Sequence, residues 1–408
     1  MSDARTFIIV GASLAGAKAA QTLRDEGFEG KVILLGDEPV RPYERPPLSK
    51  EYLQGKAGLD KVFVHDEDYY EKHDIDLRLS THVQSLDTKN REVVLASGEH
   101  LAYDAVLLTT GAEPRHLTVP GSDLEGILYL RTVADSDRLQ SAIREANRVV
   151  VIGGGWIGCE VAASARLLGA EVAVVEAADL PLERALGPEL GAFYRDVHTD
   201  HGVEWHLGNG VAELRGSPRA DEVRLDDDTV VRGDLIVVGV GVTPRIALAE
   251  AAGLKLENGV VTNEFLESSV PGVFAAGDLA NAWHPVLDAR IRLEHWSAAL
   301  NQGPVAAKNM LGTPTPYEKI PYFFSDQYDV GMEYAGHAVD WDQIVYRGDP
   351  GTREFIAFWL KGNLLAAGMA VNTWDMADTI ADLVAAKRPV DVARLRDPDV
   401  ELAQVGNS

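Results

Sequence analysis

Two glycine-rich turns, one opening at Gly11 and the other at Gly153, constrain the fold of this chain more than any other feature. The first reads Gly11-Ala-Ser13-Leu-Ala15-Gly16 and the second Gly153-Gly-Gly155-Trp-Ile157-Gly158. Each follows a short apolar run, residues 7–10 or 149–152, and opens a stretch of helical periodicity that ends near Glu26 or Leu168. A second apolar run follows in both places and ends at Gly36-Asp37 or at Glu176. Strand, glycine turn, helix and strand in this order form the unit that seats a pyrophosphate on a helix N-terminus. The three glycines serve a tight turn, a close approach of backbone to phosphate, and close packing of helix on strand. Two such units predict two dinucleotide-binding domains.

The two turns are unequal. Gly153, Gly155 and Gly158 keep the full pattern, whereas Ser13 replaces the middle glycine of the first. Serine narrows the approach that glycine permits, but its hydroxyl is itself a hydrogen-bond donor for phosphate. Glu176 lies about the expected 20 residues past its turn, where a carboxylate accepts bonds from ribose hydroxyls and repels a 2′-phosphate. The following Ala177-Ala178-Asp179 offers no cation to bind one, so NADH is expected over NADPH. Asp37 is the matching ribose acceptor of the first unit. The bland alternatives are a solvated carboxylate for Glu176 and a turn aspartate for Asp37. Two nucleotide sites in one chain suit a tightly held flavin, FAD, and an exchanging nicotinamide, so that one cofactor hands electrons to the other.

A chain of 408 residues exceeds what a single core organises, so two or three domains are expected. Residues 105–110 before Gly111, and 235–238 before Gly239-Val240-Gly241, read as the last parallel strands of each unit. Residues 272–278 form a further strand and polar turn after the second unit closes, which predicts a return to the first domain. From about Pro321 the pattern becomes aromatic-rich and alternating. The predicted architecture is α/β: two doubly wound dinucleotide-binding domains, for FAD and NAD, plus a smaller C-terminal α+β domain. The expected boundaries are 1–113 with 244–320 for a discontinuous FAD domain, 114–243 for the NAD domain, and 321–408 for the third.

Composition narrows the chemistry. Lys plus Arg number 38 against 63 Asp plus Glu, and a net charge of -25 disfavours nucleic acid or an anionic membrane as partner. An acidic protein partner then needs a local basic patch, for which Lys387, Arg388, Arg394 and Arg396 are candidates, with a solvated tail as the simpler alternative. No apolar run approaches the roughly 18 residues that span a bilayer. Met1-Ser2-Asp3-Ala4-Arg5 carries no basic and apolar leader, so a soluble cytoplasmic protein is expected. No metal site is expected. The single cysteine, Cys159, excludes an internal disulfide and any mechanism that needs a redox-active cysteine pair.

At Pro42-Tyr-Glu-Arg45-Pro46-Pro47-Leu48-Ser49-Lys50 the sequence becomes specific. Together with Thr109-Thr110-Gly111-Ala112, the intact second turn, Gly277-Asp278-Leu279 and Tyr322-Phe-Phe-Ser-Asp-Gln327, it resembles the putidaredoxin reductase family of ferredoxin reductases, which has a glutathione reductase-like fold. The resemblance covers nearly the whole chain. It implies that Lys50 lies beside the flavin ring, that Asp278 accepts bonds from the ribityl chain, and that Arg131 lies near the flavin nucleotide. It further implies flavin-side roles for Gly11, Ser13, Ala15, Gly16, Asp37, Arg45, Val83, Thr110, Gly111 and Trp296. On the nicotinamide side it implies roles for Gly153, Gly155, Ile157, Gly158, Glu176, Arg184 and Gly241. Glu160 resembles the glutamate that pairs with the lysine near flavin. The alternative readings are a surface lysine for Lys50, a carboxylate favoured by the helix dipole for Glu160, and ordinary core residues for Val83 and Trp296. The sequence departs from the family at Phe324, where tryptophan is frequent: an aromatic platform for electron transfer or docking remains, but the indole N–H is lost.

The resemblance implies an NADH-dependent ferredoxin reductase, in which FAD takes hydride from NADH and electrons pass singly to a two-iron ferredoxin, or rubredoxin, serving an oxygenase. Three alternatives compete. A disulfide reductase shares the architecture but needs the missing cysteine pair. A cysteine-free NADH oxidase delivers electrons to oxygen. A redox-sensing binding protein resembling apoptosis-inducing factor is disfavoured by the acidic charge, the lack of a targeting segment and the lack of an inserted regulatory loop. Neither the oligomeric state nor the downstream oxygenase is legible.

Overall fold

The computed structural model describes residues 4–406, so the start of the N-terminal reading, at Met1-Ser2-Asp3, lies outside the described residues. Five parallel strands form the first sheet, in the order Val273–Ala275, Ala105–Leu108, Thr6–Val10, Lys31–Leu35, Ile75–Arg78. A second parallel sheet runs Val203–Leu207, Glu171–Glu176, Arg148–Ile152, Leu235–Val238, Ile127–Tyr129. The central strands are almost wholly buried, as continuous Val, Ile and Leu runs covered on both faces require.

The chain leaves the first sheet after Ala105–Leu108 and rejoins it at Val273–Ala275. Both crossings run side by side as a short antiparallel pair, Ala112–Pro114 against Val242–Pro244. Gly111 (φ 69°) and Gly241 (φ 100°) make the turns into it, at backbone angles that favour glycine. The backbone N–H of Arg245 donates to Gly111, and that of Arg115 to Gly241, each at 2.9 Å.

The C-terminal part is a five-stranded antiparallel sheet in the order Tyr322–Gln327, Val330–Gly336, Leu364–Val371, Glu354–Lys361, Gln343–Asp349. Strand alternation gives it two buried faces. One carries Phe355, Trp359 and Met369 against Leu190, Tyr194 and Val197 of the helix Pro188–Asp200. The other carries Phe358 and Leu360 beneath Ile380 and Val384 of the helix Ala377–Ala386. Among the described residues no helix is long and apolar enough to cross a membrane.

Both glycine turns lead into helices, Leu14–Asp25 and Trp156–Leu167. A Cβ at Gly16 would lie 2.1 Å from the carbonyl oxygen of Gly11, and one at Gly158 would lie 1.9 Å from that of Gly153. These third glycines let each helix press on its own turn. Gly158→Ala must therefore push the helix off the turn. The expected cost is about 2 kcal/mol, seen in thermal unfolding as a Tm lower by roughly 5 °C, and an unchanged Tm would contradict this packing.

Candidate functional site

A cavity of about 550 Å³ opens where both glycine turns and the C-terminal sheet converge. Ser13 and Gly155 stand at equivalent places on its wall, each the N-cap of its helix with extended backbone. A Cβ added at Gly155 meets nothing within 4 Å, so the middle position of the turn faces open space. That explains how the first turn accommodates serine. The Ser13 side chain makes no capping bond, which leaves its hydroxyl for a ligand.

A buried ion pair closes one end of the cavity. Lys50 follows the short helical turn Pro46–Ser49, whose prolines fix its entry. Glu160 lies on the first turns of the helix Trp156–Leu167. Lys50 Nζ approaches Glu160 Oε2 at 3.4 Å, with the residues only 5% and 4% exposed. Ser49 Oγ donates to Glu160 Oε2, and Ser325 Oγ donates to Oε1 at 2.7 Å. The Lys50 ammonium also lies 5.2 Å from the Phe324 ring centroid, within cation–π range. Lys50 is thus no surface lysine, and Glu160 faces a charge partner instead of solvent.

Cations line the other end. Arg131 pairs with Asp278 at 2.7 Å, and Arg45 donates to the carbonyl of Arg131 and pairs with Glu38 at 3.4 Å. Burial, then the like charge of Arg45, hold the Arg131 guanidinium below its ordinary range against the opposing pull of Asp278. Arg131 Nε, Arg292 Nε and His295 Nδ1 are buried with no hydrogen-bond partner among the described residues. Incompletely paired guanidinium donors beside two helix N-termini fit the pyrophosphate of a dinucleotide. Both FAD and a nicotinamide dinucleotide therefore fit the donors present.

The expected residues divide between the cavity and its supports. Ser13, Ala15, Arg45, Lys50, Thr110, Gly111, Arg131, Asp278, Trp296, Gly155, Ile157, Glu160 and Gly241 line it. Gly11, Gly16, Gly153 and Gly158 form the turns behind it. Glu176 accepts the backbone N–H groups of Gly154 at 2.5 Å and Ala178 at 2.8 Å, which fixes its carboxylate across the turn. Three belong neither to the cavity wall nor to the turns behind it. The Asp37 side chain is 61% exposed and faces His82 at 3.2 Å. Val83 packs at the edge of the first sheet's core, and Arg184 is exposed on the short helix Glu183–Leu186, with no ion pair among the described residues. Sequence reading missed Arg292, His295, Phe323 and Ser325 as wall or pair residues. Only Phe323 and Ser325 had a signal, since they lie inside the segment 322–327.

The matches to known proteins follow the same layout. Residues 5–303 match the family described as pyridine nucleotide-disulphide oxidoreductase, and residues 322–406 match the reductase C-terminal family. The chain belongs to the first of these families and is an FAD-dependent pyridine nucleotide oxidoreductase. More narrowly, it belongs with the ferredoxin reductases. It is 37% identical to the 5,5'-dehydrodivanillate O-demethylase ferredoxin reductase subunit of a Sphingobium species, over 98% of this chain and 97% of the relative. It is 35% identical to putidaredoxin reductase of Pseudomonas putida, over 98% and 96%. The crystal structure of the covalent putidaredoxin reductase-putidaredoxin complex superposes with a TM-score of 0.95 at 34% identity, covering 98% of each chain.

Behind the pair, His198 is wholly buried, and burial pushes its imidazole down to about 4. A histidine of depressed pKa is neutral when folded, and the unfolded chain takes up its proton near 6.5. Its contribution to stability is complete above that pH and is lost as pH falls toward 4, by about 3 kcal/mol in all. Thermal unfolding of wild type and His198→Gln should show the wild-type advantage shrinking across this window. A constant difference would mean that His198 is not buried as a neutral ring.

Proposed function

We propose that this chain is an NADH-dependent reductase whose acceptor is a small iron-sulphur protein, a two-iron ferredoxin ahead of rubredoxin, in a cytoplasmic electron chain to an oxygenase. The observation that carries this reading is the buried Lys50–Glu160 pair at the meeting of two dinucleotide turns, in a chain whose only cysteine is inert. Burial pushes the Cys159 thiol well up, and its Sγ lies 3.5 Å from the carbonyl of Gly154 inside a helix. No pair of thiols can relay electrons. The names of the relatives support a protein acceptor.

Bound FAD supplies the conversion between a two-electron nicotinamide donor and one-electron acceptors. The protein's part is orientation, charge and exclusion of water. Arg45, Arg131 and Ser13 hold phosphate and ribityl groups with Asp278. Lys50 presents a cation to the cavity, kept in place by Glu160, while Trp156, Phe323 and Phe324 keep water from its wall. Glu176 takes the nicotinamide-side ribose. In this reading the boundaries near 113, 243 and 320 divide flavin, nicotinamide and C-terminal parts. The exposed Lys387, Arg388, Arg394 and Arg396 offer a docking patch on the third.

Purified protein should be yellow, bleach with NADH in the absence of oxygen, and then reduce two-iron ferredoxins faster than rubredoxin or oxygen. Transfer to oxygen alone would replace this reading with an oxidase. Glu176→Ala combined with Ala177→Arg should raise the KM for NADH and move the NADPH/NADH preference by about tenfold, near 1.4 kcal/mol. Unchanged preference would remove Glu176 from ribose recognition.

A further inference from the structure

The hydrogen bonds around Glu160 continue beyond the cavity, and their directions are fixed by its charge. A carboxylate facing an ammonium can only accept, so the Ser325 hydroxyl donates its single proton to Glu160 Oε1 at 2.7 Å. Ser325 Oγ then accepts from Gln327 Nε2 at 3.1 Å. That turns Gln327 Oε1 toward His198, whose Nε2 lies 2.8 Å away and must carry the hydrogen. His198 Nδ1 is left as an acceptor, facing the Tyr328 hydroxyl at 3.4 Å. Tyr328, His198, Gln327 and Ser325 therefore donate in one direction, each toward Glu160.

The path is buried and links three elements. Ser325, Gln327 and His198 are all buried. Ser325 and Gln327 alternate on one face of the strand Tyr322–Gln327, whereas His198 comes from the helix Pro188–Asp200 and Glu160 from the helix Trp156–Leu167. At the far end the Tyr328 ring stacks on His201 at 3.8 Å, and His201 Nε2 meets Asp329 at 3.5 Å near the surface. The groups facing His198 are Gln327 and Tyr328 from the third domain, His201 from its own helix, and the Trp205 ring. Among the described residues no carboxylate contacts it. Around Glu160 stand Lys50, Ser49, Asp326, Cys159 and Tyr194.

We propose that His198 and Gln327 are positioning residues for the redox site: through Ser325 they hold the Glu160 carboxylate in place against Lys50 by a one-way chain of hydrogen bonds. Donors in series polarise one another in a low dielectric, and bonds to the charged form favour it. The C-terminal domain thereby steadies a pair whose members both belong to the nucleotide-binding part. This rests on the reading of Lys50–Glu160 as the redox pair, but its first test needs no turnover.

In FAD-loaded full-length protein labelled with 15N-histidine, His198 should be the Nε2–H tautomer at pH 7.5. An Nδ1–H tautomer overturns the proposal whatever the enzyme reduces. In anaerobic reduction by NADH between pH 5 and 9, Ser325→Ala should move the acid limb upward by about half a unit, the size expected for one hydrogen bond lost from the carboxylate, and Gln327→Leu should move it the same way by a fraction of that. His198→Gln, which retains an amide donor for Gln327, should keep the limb in place. An unmoved limb in a Gln327→Leu protein that melts like wild type and keeps its flavin also overturns it.

Discussion

All three parts of this molecule meet at a lysine and a glutamate buried within 3.4 Å of each other. Removing two charges from water costs several kcal/mol per ion, and their attraction offsets this only when the remaining hydrogen-bonding capacity is also met. The surroundings meet it from three directions. Ser49 comes from the proline-bounded turn after the first nucleotide unit, Ser325 from the C-terminal sheet, and the Phe324 ring receives the ammonium. Separating the two nucleotide-binding units would break the pair, a loss of about 3 to 5 kcal/mol, whereas a shift of the C-terminal sheet would strip the Ser325 bond and the Phe324 ring from it. The pair is thus a lock on domain arrangement as much as a chemical device.

The glycine turns show a second constraint, one of space and not of charge. Four glycines leave no room for a Cβ: Gly11 and Gly153 against backbone of the neighbouring strand ends, Gly16 and Gly158 against their own turns. The middle position differs. Gly155 faces open cavity, and Ser13 occupies the same place in the other turn. A fingerprint read as three equal glycines is physically two packing positions and one ligand-facing position, and only the last tolerates a small polar substitute.

That distinction also describes what the sequence revealed. Period and punctuation located both parallel sheets, the return of the chain at residues 273–275 and the change of pattern at the C-terminal domain, because each is written in consecutive residues. Lys50 and Glu160 were legible through their motifs, but not the burial that separates an ion pair at a cavity wall from a surface lysine and a carboxylate favoured by the helix dipole. Arg292 and His295 carried no signal, since an arginine and a histidine ahead of a helix resemble many others until the fold aims them into a cavity. The His198–Gln327–Ser325 path was equally silent. Its members lie 129 residues apart at the first bond and 165 at the last, and no local pattern links them.

The family name promises sulphur chemistry that this chain cannot perform, and the walls of its cavity explain what takes its place. Cys159 is sealed in a helix with a thiol that burial keeps protonated, so it neither attacks nor is attacked. Around the buried pair stand hydroxyls, an amide, an imidazole and aromatic rings, groups that transmit hydrogen-bond polarity and exclude water but form no covalent link to electrons in transit. The frame therefore offers orientation and charge: a lysine and a glutamate held 3.4 Å apart beside the cavity, with the redox conversion left to the cofactor bound there.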